Sequence, residues 1–106
     1  MALIYHIATK EEWDDSLSHG MYTVPSLKTE GFIHCSEGGQ VAGVLQRYYA
    51  AKTGLVKLAI ETEKLNVPVK YEMSSSVNEE FPHIYGPINL DAVEEVTMIQ
   101  NFSKSR

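Results

Sequence analysis

The sequence predicts an α+β domain, on three observations. Strand-like runs at 55–61, 67–73 and 92–99 cluster in the second half of the chain. Two amphipathic helices, expected at 10–19 and 38–51, lie in the first half, so helices and strands are segregated rather than alternating. The stretch 81–88, Phe-Pro-His-Ile-Tyr-Gly-Pro-Ile, carries two prolines, each holding φ at about −65° and pushing the residue before it towards extended geometry. It reads as a stiff ribbon that presents His83 and Tyr85. The 106 residues contain no repeat, linker or low-complexity segment, and so form one domain, 1–106, with a polar frayed tail expected at 101–106.

Taken in order, residues 2–8 alternate as a strand, with Leu3, Tyr5 and Ile7 on one face and Ile4, His6 and Ala8 on the other. Thr9-Lys10-Glu11-Glu12 is a capping box that opens the first helix, and Gly20 is its expected stop. Trp13 and Leu17, four residues apart, predict that helix's buried face. Residues 21–30 read as an irregular connection with a helical turn at 26–30. Residues 31–36 then form a short strand with Phe32, His34 and Ser36 on one face. Ser36 is the expected cap of the second helix, in which Val41, Val44, Leu45 and Tyr48 make an apolar stripe read as buried. Pro68, early in its strand, marks either an edge or a strand start. Residues 74–80 read as a polar loop, either a lid or a solvated tip.

Composition excludes several classes. A formal net charge of −5 without a lysine or arginine cluster argues against duplex nucleic acid as a partner. Cys35 is the only cysteine, so there is no intramolecular disulfide and no cysteine-rich zinc site. No apolar run approaches the roughly 18 residues that span a bilayer, and the N-terminal residues lack a secretory pattern, which makes a cytoplasmic protein the expectation.

Three histidines remain as candidates for chemistry. His6, His34 and His83 each lie on or beside an expected strand, and hydroxyl or small residues follow them: Thr9, Ser36, and Tyr85 with Gly86. Each ring carries a donor and an acceptor that burial must satisfy. They can be three separate core histidines, a three-histidine metal site, or a ligand cleft whose imidazoles and hydroxyls hold a polar molecule. No His-x-His or His-Glu-x-x-His pair supports metal, and none is predicted. Glu79 and Glu80 lie close enough in sequence to orient His83.

The segments Ile-Tyr-His-Ile-Ala-Thr (4–9), Glu-Gly-Phe-Ile-His-Cys-Ser (30–36) and Phe-Pro-His-Ile-Tyr-Gly-Pro-Ile (81–88), followed by Leu-Asp-Ala-Val (90–93), occur in order. Through them the chain resembles the family labelled domain of unknown function 952. That family is grouped with the ADP-ribosyltransferases and RNA 2′-phosphotransferases, which implies two short antiparallel or mixed sheets enclosing a cleft, with about two main helices. Tyr5-His6 is similar to the strand whose histidine holds the adenosine ribose of NAD, and residues 32–35 to a histidine-bearing segment of the phosphotransferases. His83 falls near the position of the polymerase-type glutamate, which a histidine does not replace as a carboxylate.

The resemblance implies NAD or a related nucleotide as cofactor. His6, Thr9, Ser36 and Gly86 are then the binding residues, and His34, His83 and Tyr85 the catalytic ones of an ADP-ribosyl- or phosphotransferase-like enzyme. The alternative is a module that retains the fold and binds a metabolite or partner without turnover.

Overall fold

A computed structural model describes residues 2–99; the tail expected at 101–106 lies outside them. Strand β1 (Leu3–Thr9) runs directly into helix α1 (Lys10–His19) through the expected capping box: the Glu12 amide donates to Thr9 Oγ1 and the Thr9 amide donates to Glu12 Oε1, both at 3.0 Å. Gly20, at φ 78°, closes the helix in the left-handed region that favours glycine. The order continues β2 (Met21–Tyr22), one-turn helix α2 (Ser26–Thr29), β3 (Ile33–His34), a 3-10 turn (Gly38–Gln40), α3 (Val41–Tyr48), β4 (Leu55–Glu61), β5 (Val69–Ser74), β6 (Glu79–Ile84), β7 (Ile88–Asn89) and β8 (Val93–Met98).

The α+β class stands. Two antiparallel three-stranded sheets, β1-β4-β8 and β3-β6-β5, are joined by a two-residue ladder between β2 and β7. Their facing sides bury Ile4, Tyr22, Ile33, Leu58, Ile60, Ile84 and Ile88 in one core. Among the described residues no helix is long and apolar enough to cross a membrane.

Pro82 decides how the two sheets meet. It occupies the central strand of its sheet, where proline is rare because it cannot donate to a ladder. His34 pairs with His83, which places Cys35 opposite Pro82. The Cys35 amide donates to the Pro82 carbonyl at 3.0 Å, but proline has no N–H to return the bond. The β3–β6 ladder therefore ends at His34. The chain leaves it to bridge the other sheet: Ser36 N–H donates to Tyr5 C=O at 2.7 Å and Tyr5 N–H to Ser36 C=O at 2.8 Å. One missing donor thus ties the His34 strand to the His6 strand.

Three expectations are corrected. Leu17 is 56% exposed, and the inward face of α1 is Trp13 with Ser16, whose hydroxyl satisfies itself on the Trp13 carbonyl at 2.6 Å. The cap of the turn before α3 is Glu37, whose amide donates to Gln40 Oε1 at 2.9 Å, not Ser36, which the bridge to Tyr5 holds. The α3 stripe is not core: none of its residues is buried, and Val44 and Tyr48 face a cavity. α3 also ends earlier than the pattern predicts, at Tyr48: Tyr49 leaves helical geometry at φ −128°, and Ala51 follows at φ 67°.

Gly43 costs α3 intrinsic stability. Its added Cβ would meet only the mobile end of Arg47, at 3.0 Å from Nη1. Gly43→Ala is therefore expected to raise stability by about 0.5–1 kcal/mol, the difference in helix propensity, read as a higher urea midpoint at unchanged slope.

Candidate functional site

Between the bridge at Ser36, the outer face of α3 and the tip of the β5–β6 hairpin lies a cavity of about 750 Å³. That is within the roughly 300–1,000 Å³ typical of small-molecule pockets. β1 supplies Tyr5 and His6, the segment after β3 supplies Cys35 and Ser36, and α3 supplies Val44 and Tyr48. The residues expected as a loop at 74–80 are a hairpin turn, and Ser74, Ser75 and Ser76 line the cavity.

The pairing of β3 with β6 puts His34 and His83 side by side, their rings edge to face at 5.3 Å. Each is backed by a carboxylate. Glu72 Oε1 accepts the His83 Nδ1–H at 2.6 Å and, on the same oxygen, the Tyr85 hydroxyl at 2.5 Å. A carboxylate can only accept, so the proton of neutral His83 sits on Nδ1 and the lone pair on Nε2. Those two donors hold the Glu72 carboxyl below its ordinary value, that of Tyr85 first and that of His83 second. Glu30 accepts from His34 Nε2 at 3.1 and 3.2 Å. Phe32, held by the Ser26 hydroxyl on its carbonyl, stacks on His83 at 4.0 Å and meets His34 edge-on at 4.9 Å.

His6 plays a different part. Its Nδ1–H donates to the His34 carbonyl at 2.6 Å, and its Nε2 accepts the buried Tyr22 hydroxyl at 2.8 Å. Both nitrogens are occupied, and burial lowers the imidazole's pKa below its ordinary 6.5. Burial, with the Glu12 carboxylate second, pushes the Tyr22 hydroxyl well up. His6 is thus a neutral strut beneath the cavity, holding the strand that carries His34. Among the described residues no three of His, Cys, Asp or Glu are placed to share a metal ion.

Of the residues singled out in the sequence, the structure brings His34, His83 and Ser36 to the cavity, with His6 at its wall. Ser36 is 5% exposed, and its hydroxyl makes no hydrogen bond among the described residues. Tyr85 does not line the cavity; its hydroxyl shares Glu72 with His83, and its ring lies 5.4 Å from that of Phe32. Thr9 is occupied by the helix cap, and Gly86 lies under Val67, away from the cavity. Glu79 and Glu80 are exposed, as a solvated edge would be, and neither orients His83; Gln40 Nε2 donates to Glu79 Oε1 at 3.2 Å and to the Glu80 carbonyl at 2.8 Å. The partner is Glu72, on the same face of the neighbouring strand, and only the hairpin register reveals it. Tyr22 and Glu12 were equally hidden, the first in an apparent loop and the second in a cap. Burial pushes the pKa of the Cys35 thiol up, away from the thiolate form.

The family described as protein of unknown function (DUF952) matches residues 7–96. The crystal structure of protein CC0527 from Caulobacter crescentus is similar throughout, with TM-score 0.83 and 31% identity over 92% of this chain and 86% of that one. The solution structure of CC0527 gives TM-score 0.80 and 32% identity over 94% and 86%. No curated protein matches the chain.

Proposed function

We propose, from the premise that this chain belongs to the DUF952 family, that its cavity binds a nucleotide, with NAD as the first candidate. The observation that carries this reading is the pair of carboxylate-backed imidazoles, His34 and His83, set 5.3 Å apart beside a 750 Å³ cavity. Imidazoles held in one orientation at the edge of an apolar pocket are the few convergent polar groups that such a site needs. His83 Nε2 and the His34 ring contact the ligand, the Ser36 hydroxyl takes a ribose oxygen, and Tyr48 offers its ring to a base. Glu72, Tyr85 and His6 act through the two histidines.

The test is thermal unfolding with NAD, ADP-ribose and nicotinamide. A ligand bound only by the folded state at about 100 times its dissociation constant adds about 2.7 kcal/mol. For a domain of this size that raises Tm by several degrees. The shift is expected to vanish in His83→Ala while that variant still unfolds cooperatively. If none of the three ligands moves Tm, the nucleotide reading fails.

A second reading, binding without turnover, is favoured by the carboxylate at the cavity. Glu12 already accepts the Thr9 amide through Oε1, and so is committed to the cap of α1. On this reading the protein binds NAD yet releases no nicotinamide over prolonged incubation. Release of nicotinamide in proportion to protein would establish a transferase or hydrolase instead.

A further inference from the structure

Two of the cations in this acidic chain are held in ion pairs with acids, and two others are placed quite differently. Lys10 and Lys64 are paired with carboxylates, Asp14 at 2.8 Å and Glu94 at 2.7 Å. Arg47 and Lys57 have no carboxylate partner among the described residues, although acids outnumber bases 14 to 9 in the sequence. Instead each lies over a tyrosine that lines the cavity: the Arg47 guanidinium 5.7 Å from the Tyr48 ring centre, and Lys57 Nζ 5.3 Å from that of Tyr5. Arg47 folds back along α3 into the space that Gly43 leaves open, where a Cβ would stand 3.0 Å from Nη1. Lys57 pairs across the ladder with Ile7, a cavity residue on the same face as Tyr5.

No lysine or arginine lines the interior of the cavity, where apolar, aromatic, imidazole and hydroxyl groups meet one carboxylate, that of Glu12, already engaged by the Thr9 amide. Arg47 and Lys57 stand instead on two of the tyrosines of its wall. That division suits a ligand with an uncharged planar ring at one end and anionic oxygens at the other. An exposed cation–π contact is a weak hold, whereas an arginine fork on a phosphate is a strong, charge-assisted one. Both side chains are long enough to leave the ring for an arriving anion.

We propose that Arg47 and Lys57 are the phosphate-receiving residues of this site, and that its ligand is a nucleoside phosphate that enters base first. This rests on the reading that the cavity holds a nucleotide, and it adds the groups that separate a nucleotide from a nucleoside.

The experiment is calorimetric titration of adenosine, AMP and ADP at two salt concentrations. ADP is expected to bind at least about tenfold more tightly than adenosine at low salt. That advantage should shrink as salt rises, because the contacts are exposed. Arg47→Gln and Lys57→Gln should each reduce it and together abolish it, whereas Lys64→Gln, whose lysine is paired with Glu94, should not. ADP binding no more tightly than adenosine, or an advantage that survives in the double variant, overturns the phosphate role and leaves the cavity reading intact. Failure of all three ligands to bind overturns both.

Discussion

As pH falls below about 6.5 the folded state is expected to lose stability, at up to about 1.4 kcal/mol per pH unit, the slope set by one proton. The proton belongs to His6. In the fold its imidazole is 7% exposed, bonded at both nitrogens and neutral, and burial holds its pKa below the ordinary 6.5. In the unfolded chain it takes up a proton near 6.5. Between those two values the unfolded state carries more protons, so stability rises with pH. The contribution is complete above about pH 6.5 and is lost as pH falls through the folded value.

The groups facing His6 are Tyr22, Glu12 and His34. Of these, the Glu12 charge favours the imidazolium and His34 opposes it. Protonation would also place an N–H against the Tyr22 hydroxyl, which now donates to Nε2. Urea unfolding at a series of pH values gives the slope directly, and His6→Phe should flatten it whatever that substitution does to stability at neutral pH. Glu72 acts in a separate window. Its pKa is lowered by hydrogen bonds from Tyr85 and His83, so its contribution is present above the ordinary 4.5 and is lost only as pH falls below that. A wild-type stability that stays level from about pH 6.5 to 5 would show that His6 is not held neutral.

Gly86→Ala is expected to destabilise the fold by about 3 kcal/mol, at the upper end for overpacking a filled interior. The added Cβ would lie 2.5 Å from Val67 Cγ1 and 2.9 Å from Val67 Cβ. Val67 cannot simply retreat, because it packs on the core and Pro68 beside it accepts the Tyr85 amide at 2.9 Å. Val67→Ala in the same chain should recover part of the loss, so the two substitutions are non-additive in a double-mutant cycle. Equal stability of Gly86→Ala and wild type in urea would remove the steric role. Gly86 is followed in the sequence by a proline and preceded by Tyr85, so the close approach also sets where the Tyr85 hydroxyl begins its reach to Glu72.

Much of the fold was legible because its signals are local. The Thr9–Glu12 box, the Gly20 stop and the β4 limits of Leu55 and Glu61 depend on residues within one or two turns of each other. Pro68, read as marking an edge or a strand start, stands just before β5, which lies at the edge of its sheet. Leu17 misled because four-residue spacing defines a face of a helix but not whether anything covers it. The α3 stripe misled in a more informative way: two of its residues, Val44 and Tyr48, line a cavity instead of filling a core. Periodicity reads the side chains an element presents, and it is blind to what lies opposite.

The sequence by itself determined the class of fold and the limits of α1 and β4, and it singled out His6, His34 and His83. Only the tertiary structure decided what each histidine does. His6 became a strut because Tyr22, 16 residues away, and the His34 carbonyl, 28 away, close on its two nitrogens. His83 gained its carboxylate from Glu72, 11 residues upstream, through a register that a slip of one residue would turn to the opposite face. The lone N–H missing at Pro82 steered His34 beside β1. Such partners are chosen by register and by backbone donors across strands, and these take shape only when the sheets assemble.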